Sequence, residues 1–392
     1  MKVLVFTRDF PPELGGVQTL MERIAAHYGA DAVVVARRVE GDAEFDRGRP
    51  YRVRRMPRLD WRHPHERWNK VVRAFAYLLR FLIGGIIVGE EVRKHRPDIV
   101  ICAYAFGNGL PMTVVRLLTG CRFAVYCHGT ETLRAMMRGG VRLRALKWVL
   151  RLAHRVVVHS RFMRDEVVKL APADKIVINQ LGADSGGLDP AAAPAETAGA
   201  LALAGKKVIV TVGRMELRKG HDIMIEALPL IAAKHPEAVW VVVGDGPERL
   251  KLQAMAAGQK LADRVAFTGR LPDAEVSRLL ARADVFVMLS RQIGPDIEAF
   301  GIVYLEAALF GVPSVAGRSG GVPDAVEDGV TGLLCEPTEA AEAAEKINRL
   351  LDDEPLRRRL GDAARERAQQ RTWRACVERL QHELGPVQGP SR

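Results

Sequence analysis

Short apolar runs alternate with longer mixed segments along the whole chain. In the first half the runs are residues 2–6 (KVLVF), 32–36 (AVVVA), 98–104 (DIVICAY), 122–127 (RFAVYC) and 155–160 (RVVVHS). In the second half they are 207–213 (KVIVTVG), 239–244 (VWVVVG), 264–269 (RVAFTG), 284–289 (DVFVML) and 312–317 (VPSVAG). Such runs, rich in β-branched residues and bounded by polar turns, read as strands buried on both faces. The stretches between them, such as DIMIEALPLIAAKH and DAEVSRLLARA, have the spacing of helices. This rhythm predicts α/β architecture with parallel sheets covered on both sides. Residues 182–204 turn alanine-, proline- and glycine-rich and read as a linker. Two doubly wound domains are therefore expected, over 1–190 and 191–371. A last helix, TWRACVERLQHELG, and a tail with Pro386, Gly389 and Pro390 occupy 372–392. The carboxyl ends of both sets of strands, where ligands bind in such sheets, are expected to face a cleft.

The 392 residues suffice for two cores, and 48% hydrophobic with 27% charged residues is ordinary for a globular protein. No apolar run approaches the roughly 18 residues that span a bilayer. The opening MKVLVF is too short for a signal peptide. Five scattered cysteines without a C-x-x-C imply neither a disulfide framework nor a zinc ribbon, which fits a reducing cytoplasm. Charge changes the picture more. Of the net +11, residues 1–190 carry +13 and the remainder −2. That asymmetry, unless it reflects only an arginine-rich genome, points to an anionic partner for the first half. From Leu133 to Arg155 there are seven cations and no acid. From 141 this stretch reads as a helix with Arg144, Lys147, Arg151 and Arg155 on one face and Leu143, Leu146 and Leu150 mostly opposite. A second segment, 68–96, mixes a long apolar run with flanking charge. Both suit a lipid interface, or are ordinary helices packed on a sheet. Nucleic acid is disfavoured, because no stacking motif or recognition helix accompanies the charge.

Candidate chemistry sits after the predicted strands. Gly15 and Gly16 end the loop after the first strand, where glycine lets a backbone approach a phosphate, although a plain turn uses the same residues. Arg214 and Lys219, in VGRMELRKGHD, could clamp a diphosphate or belong to a solvated loop. His128 closes RFAVYCH and suits a sugar hydroxyl or a structural role. Arg8 and Asp9 are weaker candidates. Gly320 and Gly321, with Pro323 fitting a first helical turn, shape a further loop. Glu298 and Glu306 stand eight apart in EAFGIVYLE. A helix starting near Phe300 leaves Glu298 ahead of it and Glu306 one to two turns in, with the positive helix end between them. That suits a ligand with hydroxyls at both ends and phosphates between, or else one capping and one surface acid. No metal centre is indicated. The acids Glu40, Asp42, Glu44 and Asp46 read as a solvated loop, and His63 and His65 lack further ligands.

The order of GG loop, R-x4-K-G and E-x7-E, together with RKGHD and GVPSVAGRSGGVPDAV, resembles the retaining glycosyltransferases of family 4 over nearly the whole chain. Within them, DFPPELGGVQ and EAFGIVYLEA look most like GDP-mannose-dependent mannosyltransferases acting on phosphatidylinositol mannosides. The resemblance implies the GT-B fold: two Rossmann-like domains, the first for acceptor and the second for nucleotide sugar, with the last helix crossing back to the first. It implies that Gly15 and Gly16 meet the diphosphate through backbone N–H groups and that Arg214 and Lys219 neutralise it. Glu298 would hold donor-sugar hydroxyls, and the backbone at Phe300, Gly301 and Ile302 would touch sugar and phosphate. Glu306 would bind the ribose diol, Arg270 and Leu271 would line the base by their backbone, and His128 would lie near the reacting carbon. A diphosphate oxygen would take the acceptor's proton, so neither a protein nucleophile nor a metal or other cofactor is expected. The linker, LGADSGGLD, departs from the family's N-G-V-D-x-x-x-F. The expected partners are a nucleotide-diphosphate sugar, a lipid or membrane-associated acceptor and an anionic membrane at the inner face of the cell membrane. The alternatives are a UDP-sugar enzyme with a soluble or polysaccharide-precursor acceptor, and a non-catalytic nucleotide-sugar or lipid-binding module.

Overall fold

The computed structural model describes residues 1–57, 70–183 and 188–385, with side chains from 78 on in the helix that opens at 70. His63, His65 and the tail prolines therefore lie outside the described residues, as do residues 184–187 of the expected linker. The chain forms two compact units. One comprises Met1–His159, Met163–Asn179 and the chain from Cys376; the other comprises Ser160–Phe162 and Gln180–Ala375.

The first unit is built on a seven-stranded sheet. Its strands are β1 (Val3–Phe6), β2 (Ala32–Arg37), β3 (Arg52–Met56), β4 (Ile99–Cys102), β5 (Phe123–Tyr126), β6 (Arg155–Val158) and β7 (Ile176–Ile178). All neighbours are parallel, in the order β3-β2-β1-β4-β5-β6-β7. The helices are α1 (Gly16–Tyr28), α2 (Asp42–Asp46), α3 (Lys70–His95), α4 (Gly109–Thr119), α5 (Gly129–Arg138), α6 (Gly140–Leu152) and α7 (Arg161–Val167). The runs VLVF, IVIC and FAVY are buried throughout, which is why they read as strands without alternation.

The second unit holds a two-stranded antiparallel hairpin, β8 (Thr197–Ala198) and β9 (Leu201–Ala202), and a six-stranded parallel sheet. The sheet runs β12-β11-β10-β13-β14-β15, with β10 (Lys207–Val212), β11 (Ala238–Val243), β12 (Val265–Gly269), β13 (Val285–Met288), β14 (Ser314–Gly317) and β15 (Gly332–Cys335). Its helices are α8 (His221–Lys234), α9 (Arg249–Gly258), α10 (Asp273–Arg282), α11 (Ile302–Leu309), α12 (Val322–Ala325), α13 (Ala340–Asp352), α14 (Glu354–Gln370) and α15 (Trp373–Leu384). Trp240 lies fully buried at the centre, its indole N–H donating to Thr211 Oγ1 at 2.9 Å. From Cys376 the last helix belongs to the first unit, as the resemblance implied. There Arg122 and Arg155 donate to the carbonyls of Leu384 and Glu383.

Several elements differ from expectation. Strand β3, RVRRM, escaped notice because its charge disguises an edge strand. Arg52 and Arg54, on one face by the two-residue period, bond the buried Glu91 of α3, while Arg55, on the other, bonds Asp46 bidentately. Strand β7 has only three residues, and β15, GLLC, opens on a glycine and contains no β-branched residue. The acids at 40–46 read as a solvated loop; residues 42–46 instead form α2, with Asp46 on Arg55 and Asp42 accepting the N–H of Val39. Among the described residues no group of three or more His, Cys, Asp or Glu could hold a metal ion. The described parts of the linker are held in place, Ala183 N–H donating to the Arg371 carbonyl. Asp189 N–H donates to Ser277 Oγ, Ala195 N–H to the Arg278 carbonyl, and Leu203 is fully buried. Arg155 does not continue the basic face of α6. The helix ends at Leu152, and Arg155 opens β6.

Candidate active site

In a doubly wound sheet the loops diverge where the strand order reverses, and ligands collect there. In the second unit that point lies between β10 and β13. The loop after β10 carries Arg214, Glu216, Arg218 and Lys219. Gly220 closes it at φ +73° and caps α8, and a Cβ there would lie 2.1 Å from the Leu289 carbonyl oxygen. Only glycine lets this loop lie against the one after β13. Three bonds from Arg291 tie the loop after β13 to the loop after β10 and to the first turn of α8. Arg291 N–H donates to the Arg218 carbonyl, and the Arg291 guanidinium grips Asp222 at 2.9 and 2.6 Å.

This closeness brings Lys219 to Glu298. Lys219 Nζ donates to Glu298 Oε2 at 2.5 Å, and Arg218 Nη1 donates to the same oxygen at 3.0 Å. Burial pushes the Glu298 carboxyl up, but Lys219 and Arg218 together outweigh it and hold the group below the usual carboxylate range. Arg218 Nε also donates to Glu216 Oε2 at 3.1 Å, and Arg214 pairs with Glu216 Oε1 at 3.2 Å. The result is an alternating line of charge, Arg214–Glu216–Arg218–Glu298–Lys219. Arg214, with two-thirds of its side chain exposed, is its outer end.

Helix α11 starts at Ile302, two residues later than expected. Gly301 caps it at φ +88° and Phe300 is buried, and the first-turn N–H groups have no partner within the helix. Glu306 lies one turn in. Among the described residues nothing pairs with its carboxylate. Burial, helped by Asp273 and opposed by Lys219, raises it to about 7. Gly321 N–H donates to the Glu298 carbonyl at 2.8 Å, and a Cβ at Gly321 would lie 1.9 Å from the Ala299 carbonyl oxygen. The glycine pair after β14 thus supports Glu298 from behind. Arg270, exposed, and Leu271, half-buried, follow β12 at the same sheet end.

The first unit has its own reversal, between β1 and β4. Tyr104 Oη donates to Asp9 Oδ2 at 2.5 Å, and the Arg8 guanidinium lies 4.5 Å from the centre of the Tyr104 ring. Gly15 and Gly16 open α1 on the exposed surface, where the first-turn N–H groups have no helical partner. His128 caps α5 and contacts Tyr104 edge-on, with centroids 5.2 Å apart. Its Nδ1 lies 3.1 Å from His159 Nε2, and His159 Nδ1 lies 3.1 Å from the Asn179 carbonyl oxygen. A carbonyl only accepts, so His159 carries its proton on Nδ1. Its bare Nε2 then accepts from His128 Nδ1–H; the Ala103 backbone also bears on the His128 ring, and His128 Nε2 has no hydrogen-bond partner among the described residues. Burial lowers both rings, to about 3 for His128 and about 4 for His159, so both are neutral near pH 7. Glu131 accepts the N–H groups of Phe106 and Gly107 at 3.1 Å each.

Lys219, Glu298 and Glu306 therefore gather at one reversal point, with the α11 start between the acids. Arg214 does not touch Glu298. Sequence reasoning missed Arg218, Glu216, Tyr104, Glu131, His159 and the Arg291–Asp222 pair. The adjacent cation in R-K-G was the one available signal, for Arg218.

Comparison with known proteins adds three findings. The family model Glycosyltransferase Family 4 matches residues 14–185, and Glycosyl transferases group 1 matches 196–367. The chain is 31% identical over 392 residues to the GDP-mannose-dependent alpha-(1-6)-phosphatidylinositol monomannoside mannosyltransferase of Mycolicibacterium smegmatis, covering 96% of this chain and 97% of the other. It is 28% identical to the monoacylated-substrate counterpart of Corynebacterium glutamicum, covering 97% and 96%. Among solved structures, Anabaena HepE in complex with UDP superposes with a TM-score of 0.77 at 22% identity, covering 97% of this chain and 98% of that one. Sucrose-phosphate synthase from Thermosynechococcus elongatus gives 0.76 at 20%, covering 97% of each.

Proposed function

The chain belongs to glycosyltransferase family 4 and has the GT-B fold, and from that membership and the site geometry we propose that it moves a hexose, most specifically mannose from GDP-mannose, to a lipid-linked acceptor. The observation that carries this reading is the convergence of Lys219 and Arg218 on Glu298 beside an unpaired Glu306 at the start of one helix. In it Lys219 and Arg214 neutralise the diphosphate as it departs. Glu298 takes sugar hydroxyls through its other oxygen, and Glu306 takes the ribose diol. The backbone at 300–302 and at 270–271 lines the donor. In the first unit, Gly15 and Gly16 offer backbone N–H groups to the diphosphate, and the lone pair of His128 Nε2 accepts a hydroxyl near the reacting carbon.

Attack on the face the diphosphate leaves retains the anomeric configuration, with a diphosphate oxygen taking the acceptor's proton. The cations carry the charge, so the reaction needs no metal. The two curated relatives named above, whose names specify GDP-mannose and phosphatidylinositol mannosides, support this donor and acceptor class. No helix among the described residues is long and apolar enough to cross a membrane. Docking to an anionic inner membrane face is assigned to the exposed cations Arg144, Lys147 and Arg151 of α6, with half-exposed Trp148 beside them.

The test is turnover of GDP-mannose on liposomes containing a phosphatidylinositol mannoside, with and without chelator, and NMR of the product anomer. A thermal-shift panel of GDP, UDP and ADP reads the base. Co-sedimentation with anionic liposomes at rising salt reads the surface and should weaken. Transfer from no nucleotide sugar sinks the reading.

A further inference from the structure

The charge line in the second unit holds one cation more than a diphosphate clamp needs. Lys219 and Arg218 both bond Glu298 Oε2, and no described residue pairs with Oε1. The proposed reaction, on which this inference rests, sends Lys219 to the diphosphate. Glu298 then keeps a buried carboxylate with one cation fewer, and a buried carboxylate without a partner is costly. Lysine is a point charge on a flexible stem and can turn away. An arginine fork holds two acceptors at fixed geometry and stays charged. Arg218 is built to remain. Its Nη1 is on Glu298, its Nε is on Glu216, and its backbone carbonyl accepts from Arg291, which Asp222 anchors.

We propose that Arg218 is a positioning residue for the transfer. It retains the Glu298 carboxylate when Lys219 turns to the diphosphate, and Glu216 orients the guanidinium that does so. Arg218 touches neither phosphate nor sugar in this scheme. It keeps Oε2 occupied so that Oε1 presents to the sugar hydroxyl. The groups facing Glu298 are Lys219, Arg218 and, at longer range, Tyr304, and only the first two are cations.

The test uses the full chain with Arg218→Met, Arg218→Lys and Glu216→Gln. Calorimetry reads GDP affinity, and turnover of GDP-mannose across pH reads kcat and the acid limb. For Arg218→Met, GDP Kd is expected to stay within about threefold and kcat to fall about thirtyfold or more, while the acid limb of kcat, read at saturating donor where the ribose holds Glu306 ionised, moves up. Arg218→Lys should recover part of kcat, and Glu216→Gln should fall between the two. An unchanged kcat and limb would overturn the proposal. So would a GDP Kd raised about tenfold, which would make Arg218 a diphosphate ligand. If the native chain transfers no sugar, the functional reading fails separately. The positioning is then read in the ligand-free protein by the 13C carboxyl resonance of Glu298. In a Lys219→Met background, Arg218→Met should raise its midpoint by about one unit, and equal midpoints overturn the proposal.

Discussion

Lys219 Nζ and Glu298 Oε2 lie 2.5 Å apart although 79 positions separate the residues in the chain. They meet because β10 and β13 are neighbours at the reversal of strand order, and because Gly220 lets the two loops touch. In the ligand-free protein each ion satisfies the other in a largely buried place. In the proposed reaction Lys219 turns to the diphosphate, while Glu298 keeps Arg218 and accepts a sugar hydroxyl.

Lys219→Met should therefore abolish transfer without unfolding the protein. Arg218 still pairs with Glu298, so the carboxylate is not stranded. A loss of roughly 10²–10³ in kcat is expected, the scale of one electrostatic donor to a developing charge. Turnover alongside circular dichroism checks both halves. Glu298→Gln should lose comparable activity and also melt lower, because it leaves Lys219 and Arg218 without their shared carboxylate.

Glu306 gives a pH signature. Its folded pKa of about 7 stands above the ordinary 4.5, so ionising it opposes folding. The cost is absent below pH 4.5, grows as pH rises through the window to about 7, and is complete above. Glu306→Gln should then melt higher than the native protein at pH 8, with the difference shrinking to nothing toward pH 4. Ribose hydroxyls favour the ionised form, so nucleotide binding near pH 6.5 should release protons. Calorimetry in two buffers of different ionisation enthalpy measures that release. No proton release would disconnect Glu306 from the ribose.

Gly220→Ala is expected to cost about 2 kcal/mol or more in denaturant unfolding. Its φ is +73° and the new Cβ meets backbone rather than a movable side chain. The strain parts Lys219 from Glu298, so activity should fall as well. A fully active and fully stable variant would mean the loops are not held this closely.

His159→Phe should scramble the proton on His128. In the native protein, 15N NMR should report neutral His128 with a bare Nε2 from pH 7 down past pH 5, since both rings titrate well below the ordinary value. In the variant both tautomers should appear, and turnover should drop with donor affinity little changed. A single Nδ1–H tautomer in both proteins would remove His159 from the argument.

Much of the fold was legible because buried parallel strands write continuous apolar runs. Segments such as KVIVTV and VFVM can hardly be anything else between helical stretches. The edge strand RVRRM was not legible, because its arginines make sense only against Glu91 and Asp46 on other elements. The hairpin at 197–202 hid in composition that suits a linker equally well. At the site, the spacing of Glu298 and Glu306 around a helix start was readable, since it depends on one local element. The partners were not. Arg214 and Lys219 looked equivalent after one strand, yet Lys219 turns inward to Glu298 while Arg214 turns outward to Glu216.

The chain by itself determined two α/β units, the position of each loop at a strand's carboxyl end, and which residue types stand there. Those follow from local periodicity and hydrophobicity. Only the tertiary structure decided which cation holds which acid, which nitrogen of His128 is bare, and which carboxylate is left unpaired. Such pairings depend on ångström-scale approach between loops far apart in sequence, and on burial that strengthens a charge contact or forbids an unpartnered one.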